Sequence, residues 1–186
     1  MDEQKRMDNE LVQRCKAGDV KAYEELYKLY GNKLFGLCLR MSGNRGEAED
    51  LMQEIFVILI KKINAFRGDA KFSTWLYRVA VNTCISHLRK RKGTKVDIED
   101  HVTNPAMTTR PDPLAQRAAL KKAISELPEG YRTAVVMHDI QGFNHKEIAE
   151  ILGITEGASK SQLFKARRKL REMISNPFSS KEAAEG

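Results

Sequence analysis

Apolar residues in this chain recur at spacings of three and four almost from end to end, and that period most constrains what it can fold into. Residues three and four apart share one face of an α-helix, whereas a half-buried strand alternates every second residue. From Tyr23 the series Leu26, Tyr27, Tyr30, Leu34, Leu37, Cys38 and Met41 forms one such face. Asp19 is placed to cap its start, and Gly43 to end it. Asn44, with Glu47 three residues on, reads as a capping box. The helix it opens carries Ala48, Leu51, Met52, Ile55, Phe56, Leu59 and Ile63 on one side. Acidic residues at its start and Lys61 and Lys62 at its end suit the helix dipole. A loop is expected over 64–72, with Gly68 as its breaker. Ser73 is then expected to cap a helix bearing Leu76, Val79, Ala80, Thr83, Cys84 and Leu88, which ends in the basic run 89–92. No strand pattern and no internal repeat is present, so the expected fold class is all-α.

From Thr94 to Pro113 the periodicity vanishes. Pro105, Pro111 and Pro113, with the acidic Asp97, Glu99 and Asp100, mark a flexible linker over 94–113. It divides two small helical domains, 8–93 and 114–174, and a disordered tail is expected over 175–186. The second domain opens with a helix over 114–126, stopped at Leu127-Pro128. Another runs from Glu129 to about Ile140, and Gly142 ends it. Asn144 and Glu147 form a second capping box before a short helix. Gly153-Ile154 makes a tight turn, and Thr155 caps a long last helix with Leu163, Ala166, Leu170 and Ile174.

The composition narrows the partners. Against 25 acidic residues the 186-residue chain carries 32 Lys and Arg, a net charge of +7, which points to a polyanion. No run approaches the roughly 20 apolar residues of a membrane span, so no membrane insertion is expected. Cys15, Cys38 and Cys84 are odd in number and widely spaced. Buried free thiols in a reducing, cytoplasmic setting are expected, with no metal site and no cofactor. A phosphate-binding Gly-rich loop, a zinc-protease helix and a nucleophile elbow are all missing, and His87, His101, His138 and His145 are scattered. The chain therefore reads as a non-enzyme.

Two segments carry nucleic-acid chemistry. Residues 145–152, the Gly153 turn and the helix after Thr155 form a helix-turn-helix. Glu156, Ser159, Lys160, Ser161 and Gln162 are expected to point outward at the start of its second helix, where the motif meets base edges. Lys165, Arg167, Arg168, Lys169 and Arg171 follow as a basic stripe suited to phosphates. The second segment, 66–92, alternates aromatic residues (Phe66, Phe72, Trp75, Tyr77) with Arg67, Lys71, Arg78 and the polar Ser73, Thr74 and Asn82. Aromatic rings stack on unpaired bases while cations hold the backbone. Trp75 is open to two readings, core residue or base contact.

Four stretches carry a resemblance. AEDLMQEIF (48–56), FRGDAKFSTWLYRVAVNT (66–83), LPEGYRTAVVM (127–137) and GFNHKEIAEILGITEGASKS (142–161) are similar, in order and spacing, to bacterial sigma factors of the extracytoplasmic-function (ECF) group. The resemblance covers about 20–93 and 115–172. It implies that the first domain is sigma-2-like and the second sigma-4-like. Glu49, Asp50, Leu51, Gln53, Glu54 and Phe56 would then dock on the clamp helices of the largest subunit of core RNA polymerase. Phe66, Arg67, Asp69, Lys71, Phe72, Ser73, Thr74, Trp75, Arg78 and Asn82 would read the promoter −10 element, with a non-template base flipped into the loop. Thr155, Glu156, Ser159, Lys160, Ser161, Gln162, Lys165, Arg167 and Arg168 would bind the −35 element. Other surfaces of the second domain would meet the flap of the second-largest subunit. The linker would thread the polymerase cleft, its acidic residues mimicking nucleic acid, and an anti-sigma factor is an expected partner.

The chain departs from the family pattern at two places. Where Thr-Val-Lys-Ser-Arg is common, it has Ala158-Ser159-Lys160-Ser161-Gln162. Gln in place of Arg removes a charge and a bidentate guanine reader, so an altered −35 preference is expected. His145 stands where an aromatic such as Tyr is frequent and reads as a surface residue near a helix start; nothing in the sequence supports a pH-sensing role. The competing reading is a stand-alone dimeric helix-turn-helix regulator, which has no use for the 48–83 segments. An adaptor with only protein partners has no use for the basic last helix.

Overall fold

The computed structural model of the chain describes residues 3–93 and 113–175, and among these there is no strand. The expected linker lies outside the described residues except for Pro113, which opens a helix, and so does the expected tail except for Ser175, which ends one. In order along the chain come α1 (Glu3–Lys16), α2 (Val20–Ser42), α3 (Arg45–Lys62), a 3₁₀ turn (Ile63–Ala65) and α4 (Phe72–Gly93). After the linker come α5 (Pro113–Glu126), α6 (Glu129–Val135), a π-helical turn (Val136–Ile140), α7 (His145–Leu152) and α8 (Glu156–Ser175).

Local chemistry sets most of these boundaries. Asp19 accepts from the Lys21 amide and starts α2, while Gly43 ends it at a left-handed φ of 78° that a side chain would strain. That same glycine lets α5 come close, since a Cβ there would lie 3.3 Å from Ser125 Cβ. At Asn144 the capping box closes in both directions. At Asn44 only half of it forms. The Asn44 side chain takes the Glu47 amide, but the Glu47 carboxylate turns to Arg91 at 3.0 Å and His87 at 3.1 Å. A cross-helix cation outbids the local amide. Ser73 is not a cap, as the sequence predicts, but sits in the first turn of α4. The Lys71 carbonyl already accepts from the Trp75 amide, so the helix begins at Phe72, two residues before a Ser73 cap would start it.

Two features are absent from the sequence reading. The first is α1, which presses Leu11, Val12 and Cys15 on the bundle and buries Asp8 against the Tyr30 hydroxyl, which donates at 2.8 Å. The second is the widened turn after α6, where the Gln141 amide reaches back to the Val136 carbonyl at 2.9 Å. Leu26, Leu34, Leu37, Met41, Leu51, Ile55, Leu59 and Leu76 fill the centre of the first bundle. Each full burial of this kind contributes about 1.5–3 kcal/mol. Ile148, Ile151, Leu163 and Ala166 hold α7 to α8. All three cysteines are free and buried.

The two units do not stand apart on their linker. Their buried residues form one continuous core. Tyr77 of α4 meets Phe143 edge-on with ring centroids 4.6 Å apart. Arg132 of α6 is buried and donates to the Met41 carbonyl at 2.6 Å, at the end of α2 where helix carbonyls lack intrahelical donors. It also donates to the Ser125 and Leu127 carbonyls, so one guanidinium ties the end of α2 to the end of α5 and the turn that follows it. Arg89 pairs with Glu129 at 2.9 Å, and Gln141 donates to the Lys33 carbonyl at 3.3 Å.

Candidate nucleic-acid and polymerase interfaces

The 66–72 loop rests on an aromatic cluster. Phe66 and Phe72 are both buried, Phe72 to 1% exposure, with ring centroids 5.6 Å apart. Trp75 leans on both at 5.6 and 5.8 Å and keeps part of its surface open, so it is at once a packing residue and an accessible ring. Tyr30 closes the cluster from α2, edge-on to Phe72. Thr74 is buried, whereas Arg67, Asp69 and Lys71 are exposed, with Arg67 and Asp69 3.3 Å apart, and Ser73 is half-buried. Phe66, Phe72 and Thr74 thus form the floor of the loop rather than an open stacking platform. Lys16 was not foreseen. Its Nζ donates to the Phe66 carbonyl at 2.6 Å and ties α1 to the loop. No local pattern could reveal it, because the two residues are fifty positions apart.

On the helix-turn-helix, Gly153 takes the left-handed φ of 67° that the turn needs, and Thr155 Oγ1 accepts from the Ala158 amide. Glu156, Lys160, Ser161, Lys165 and Arg168 are exposed on α8, with Lys160 3.9 Å from Glu156 and Arg168 3.6 Å from Glu172. Arg167 is drawn aside to Asp139, Nε to Oδ2 3.0 Å, and this guanidinium holds the Asp139 carboxyl below the usual carboxylate range. Ser159 does not point outward as expected. It is 0% exposed, because its place in the first turn of α8 faces α7. His145 likewise is not a plain surface residue. It is partly buried, with Nδ1 2.9 Å from Ser159 Oγ.

On α3 the acidic Glu49, Asp50 and Glu54 lie exposed together with the polar Gln53. Leu51 is only 1% exposed and faces the core, so it does not share that surface. Phe56 is half-buried, its ring 5.0 Å from that of Tyr27. Tyr27, expected in the core stripe, is 56% exposed, and Val57 and Ile60 are exposed as well. Acidic and apolar groups side by side suit a basic helical partner. The signal for Val57 and Ile60 was present in the sequence, since both fall off the core stripe of their helix.

The second unit lies over the outer face of α4. Arg78 donates to the Glu150 and Ile151 carbonyls at the end of α7, which lack helical donors there. A cleft of about 360 Å³ separates the units, lined among others by Asn82, Arg89, Glu129, Leu152 and Gln162. Asn82 and Gln162, expected at two different DNA elements, therefore face one cleft.

The comparisons with known proteins match this division. Residues 26–94 match the family model of Sigma-70 region 2, and residues 117–170 that of Sigma-70, region 4. The chain is 32% identical to the RNA polymerase sigma-H factor of Pseudomonas aeruginosa, over 90% of this chain and 93% of that one. It is 33% identical to the ECF RNA polymerase sigma factor SigW of Bacillus subtilis, over 88% and 94% of the two chains. Among solved structures it resembles the sigma factor RpoE in complex with the anti-sigma factor NepR from Bartonella quintana, with a TM-score of 0.66, 27% identity and 84% and 98% coverage. With an acidic-apolar face on α3, an aromatic loop before α4 and a helix-turn-helix in α7 and α8, the chain belongs to the ECF RNA polymerase sigma factors.

Proposed function

We propose that this chain binds core RNA polymerase and directs it to promoters by contacting a −10 and a −35 element. The observation that carries this is the order of the parts. A region 2 match and a region 4 match lie in one chain, and each coincides with one of the two candidate DNA surfaces. Glu49, Asp50, Gln53 and Glu54, with Phe56 and Tyr27 beside them, dock on the polymerase clamp helices. The 66–72 loop, with Trp75, Arg78 and Asn82, handles the −10 strand. Thr155, Glu156, Lys160, Ser161, Gln162, Lys165, Arg167 and Arg168 bind the −35 duplex. Leu51, Phe66, Phe72, Thr74 and Ser159 act from beneath these surfaces by fixing their shape. Residues 8–93 and 114–174 are the two working domains. The factor has no catalytic chemistry of its own and works in the cytoplasm. No helix among the described residues is long and apolar enough to cross a membrane, which agrees with that setting.

The packed arrangement is a resting form. Arg78 is tied to the α7 carbonyls and Asn82 lines the cleft between the units, so that engagement of −10 DNA competes with these contacts and binding to polymerase parts the two units. Polymerase then holds both at a set separation, and two weak contacts act together through effective concentration. An anti-sigma partner that binds both units would keep them closed.

The test is size-exclusion chromatography with bacterial core RNA polymerase. Co-migration, abolished by the pair Asp50→Arg and Glu54→Arg, is expected. A folded chain that fails to co-migrate would overturn the proposal in favour of the dimeric regulator.

A further inference from the structure

The two places where the chain departs from the family pattern touch each other, through His145 and Ser159. Ser159 is fully buried in the first turn of α8, and a buried hydroxyl without a partner is costly. Its partner is His145 Nδ1, at 2.9 Å on the first residue of α7. This contact spans the helix-turn-helix at the point that sets how α8 sits against α7. With the ring neutral and Nδ1 unprotonated, the Ser159 hydroxyl donates to it. An imidazolium offers only donors, and the hydroxyl loses that acceptor.

The surroundings also disfavour a charged ring. His138 stacks on His145 with centroids 4.6 Å apart, and the His138 Nδ1 lies 2.8 Å from Asp139. From α8, Lys160 and Arg167 add positive charge, and Glu156 opposes them. From α4, Arg78 is engaged at the far end of α7. Partial burial first, then His138, Lys160 and Arg167, hold the His145 pKa below the ordinary histidine value.

We propose that His145 is a positioning residue for the recognition helix, seating the first turn of α8 through Ser159 while its ring is neutral. This rests on the reading of α8 as the −35 contact. The sign follows from the lowered pKa: the seated form prefers the neutral ring. Acidification through the ordinary histidine value and towards the lowered one therefore unseats α8. Specific −35 recognition weakens as pH falls. Generic electrostatics has the opposite sign, because a new cation near phosphate strengthens binding.

The experiment uses holoenzyme made with the full chain and the promoter duplex recovered by selection with that holoenzyme. The readout is its affinity divided by that for the same duplex with a scrambled −35 element. The wild-type ratio is expected to fall by about three-fold or more between about pH 7.5 and about pH 5.5. His145→Asn keeps an amide where Nδ1 was, so its ratio is expected not to change with pH. His145→Ala and Ser159→Ala are expected to give low ratios at both pH values, with melting curves as the control for folding. The same fall in His145→Asn, or an undiminished ratio in His145→Ala, would overturn the proposal. A wild-type ratio of one at about pH 7.5 would instead overturn the −35 reading, and this inference with it.

Discussion

The 66–72 loop with α4, and the recognition helix α8, meet the same class of partner with opposite materials. The first is a shape. Three aromatic rings, two of them buried, set the floor of a short loop, and Lys16 holds the loop backbone from another helix. The second is a charge pattern, with Lys160, Lys165 and Arg168 exposed on a helix whose interior side is Leu163, Ala166 and Leu170. A shape fails all at once when its support is removed. A charge pattern erodes one contact at a time. The two surfaces also differ in their neighbours, since Arg78 of α4 is tied to the end of α7 while Lys160, Lys165 and Arg168 of α8 stand exposed.

The largest expected effect breaks the shape. Phe72→Ala removes a fully buried ring and should cost about 3–5 kcal/mol in thermal or denaturant unfolding. It should also abolish −10-dependent promoter melting while −35 selectivity survives. Equal loss at both elements would show that the two surfaces are not independent. Next, Arg132→Met withdraws the donors from the Met41, Ser125 and Leu127 carbonyls, at about 1.5–3 kcal/mol. The units should separate, seen as a larger radius of gyration in small-angle scattering. An unchanged radius would show that Tyr77 and Phe143 suffice to hold them.

Lys16→Met sharpens the same contrast locally, at up to about 1.5 kcal/mol. Amide exchange over 66–71 and acrylamide quenching of Trp75 should rise while the melting temperature barely moves. Lys165→Ala tests the charge pattern. It should leave stability within about 0.5 kcal/mol and lower the salt slope of DNA binding by about one. The smallest effect belongs to Asp139. Its carboxyl is lowered in the folded state by Arg167, so it adds stability at neutral pH that is lost as pH falls below the ordinary carboxylate value of about 4. The half-exposed pair limits this to under about 1 kcal/mol, and Asp139→Asn should remove that part of the pH dependence of unfolding.

Much of this was legible in the amino-acid sequence, because the physics involved is local. Asp19, Asn144 and Thr155 cap helices through hydrogen bonds that span three residues or fewer, and Gly43 and Gly153 supply backbone angles that their neighbours require. Apolar period decides which side of each helix is buried, and the excess of Lys and Arg on α8 needs no partner to be seen. Contacts between distant parts were not legible. Lys16 and Phe66, His145 and Ser159, Arg132 and Met41 meet only after helices pack. Tyr27 lies at a core spacing and is nevertheless exposed, because which neighbour covers a stripe edge is a tertiary matter. The sequence by itself determined the helices, their ends and the signs of their faces. Only the tertiary structure decided which of those faces are open, because burial depends on where another helix lies, and no local period encodes that.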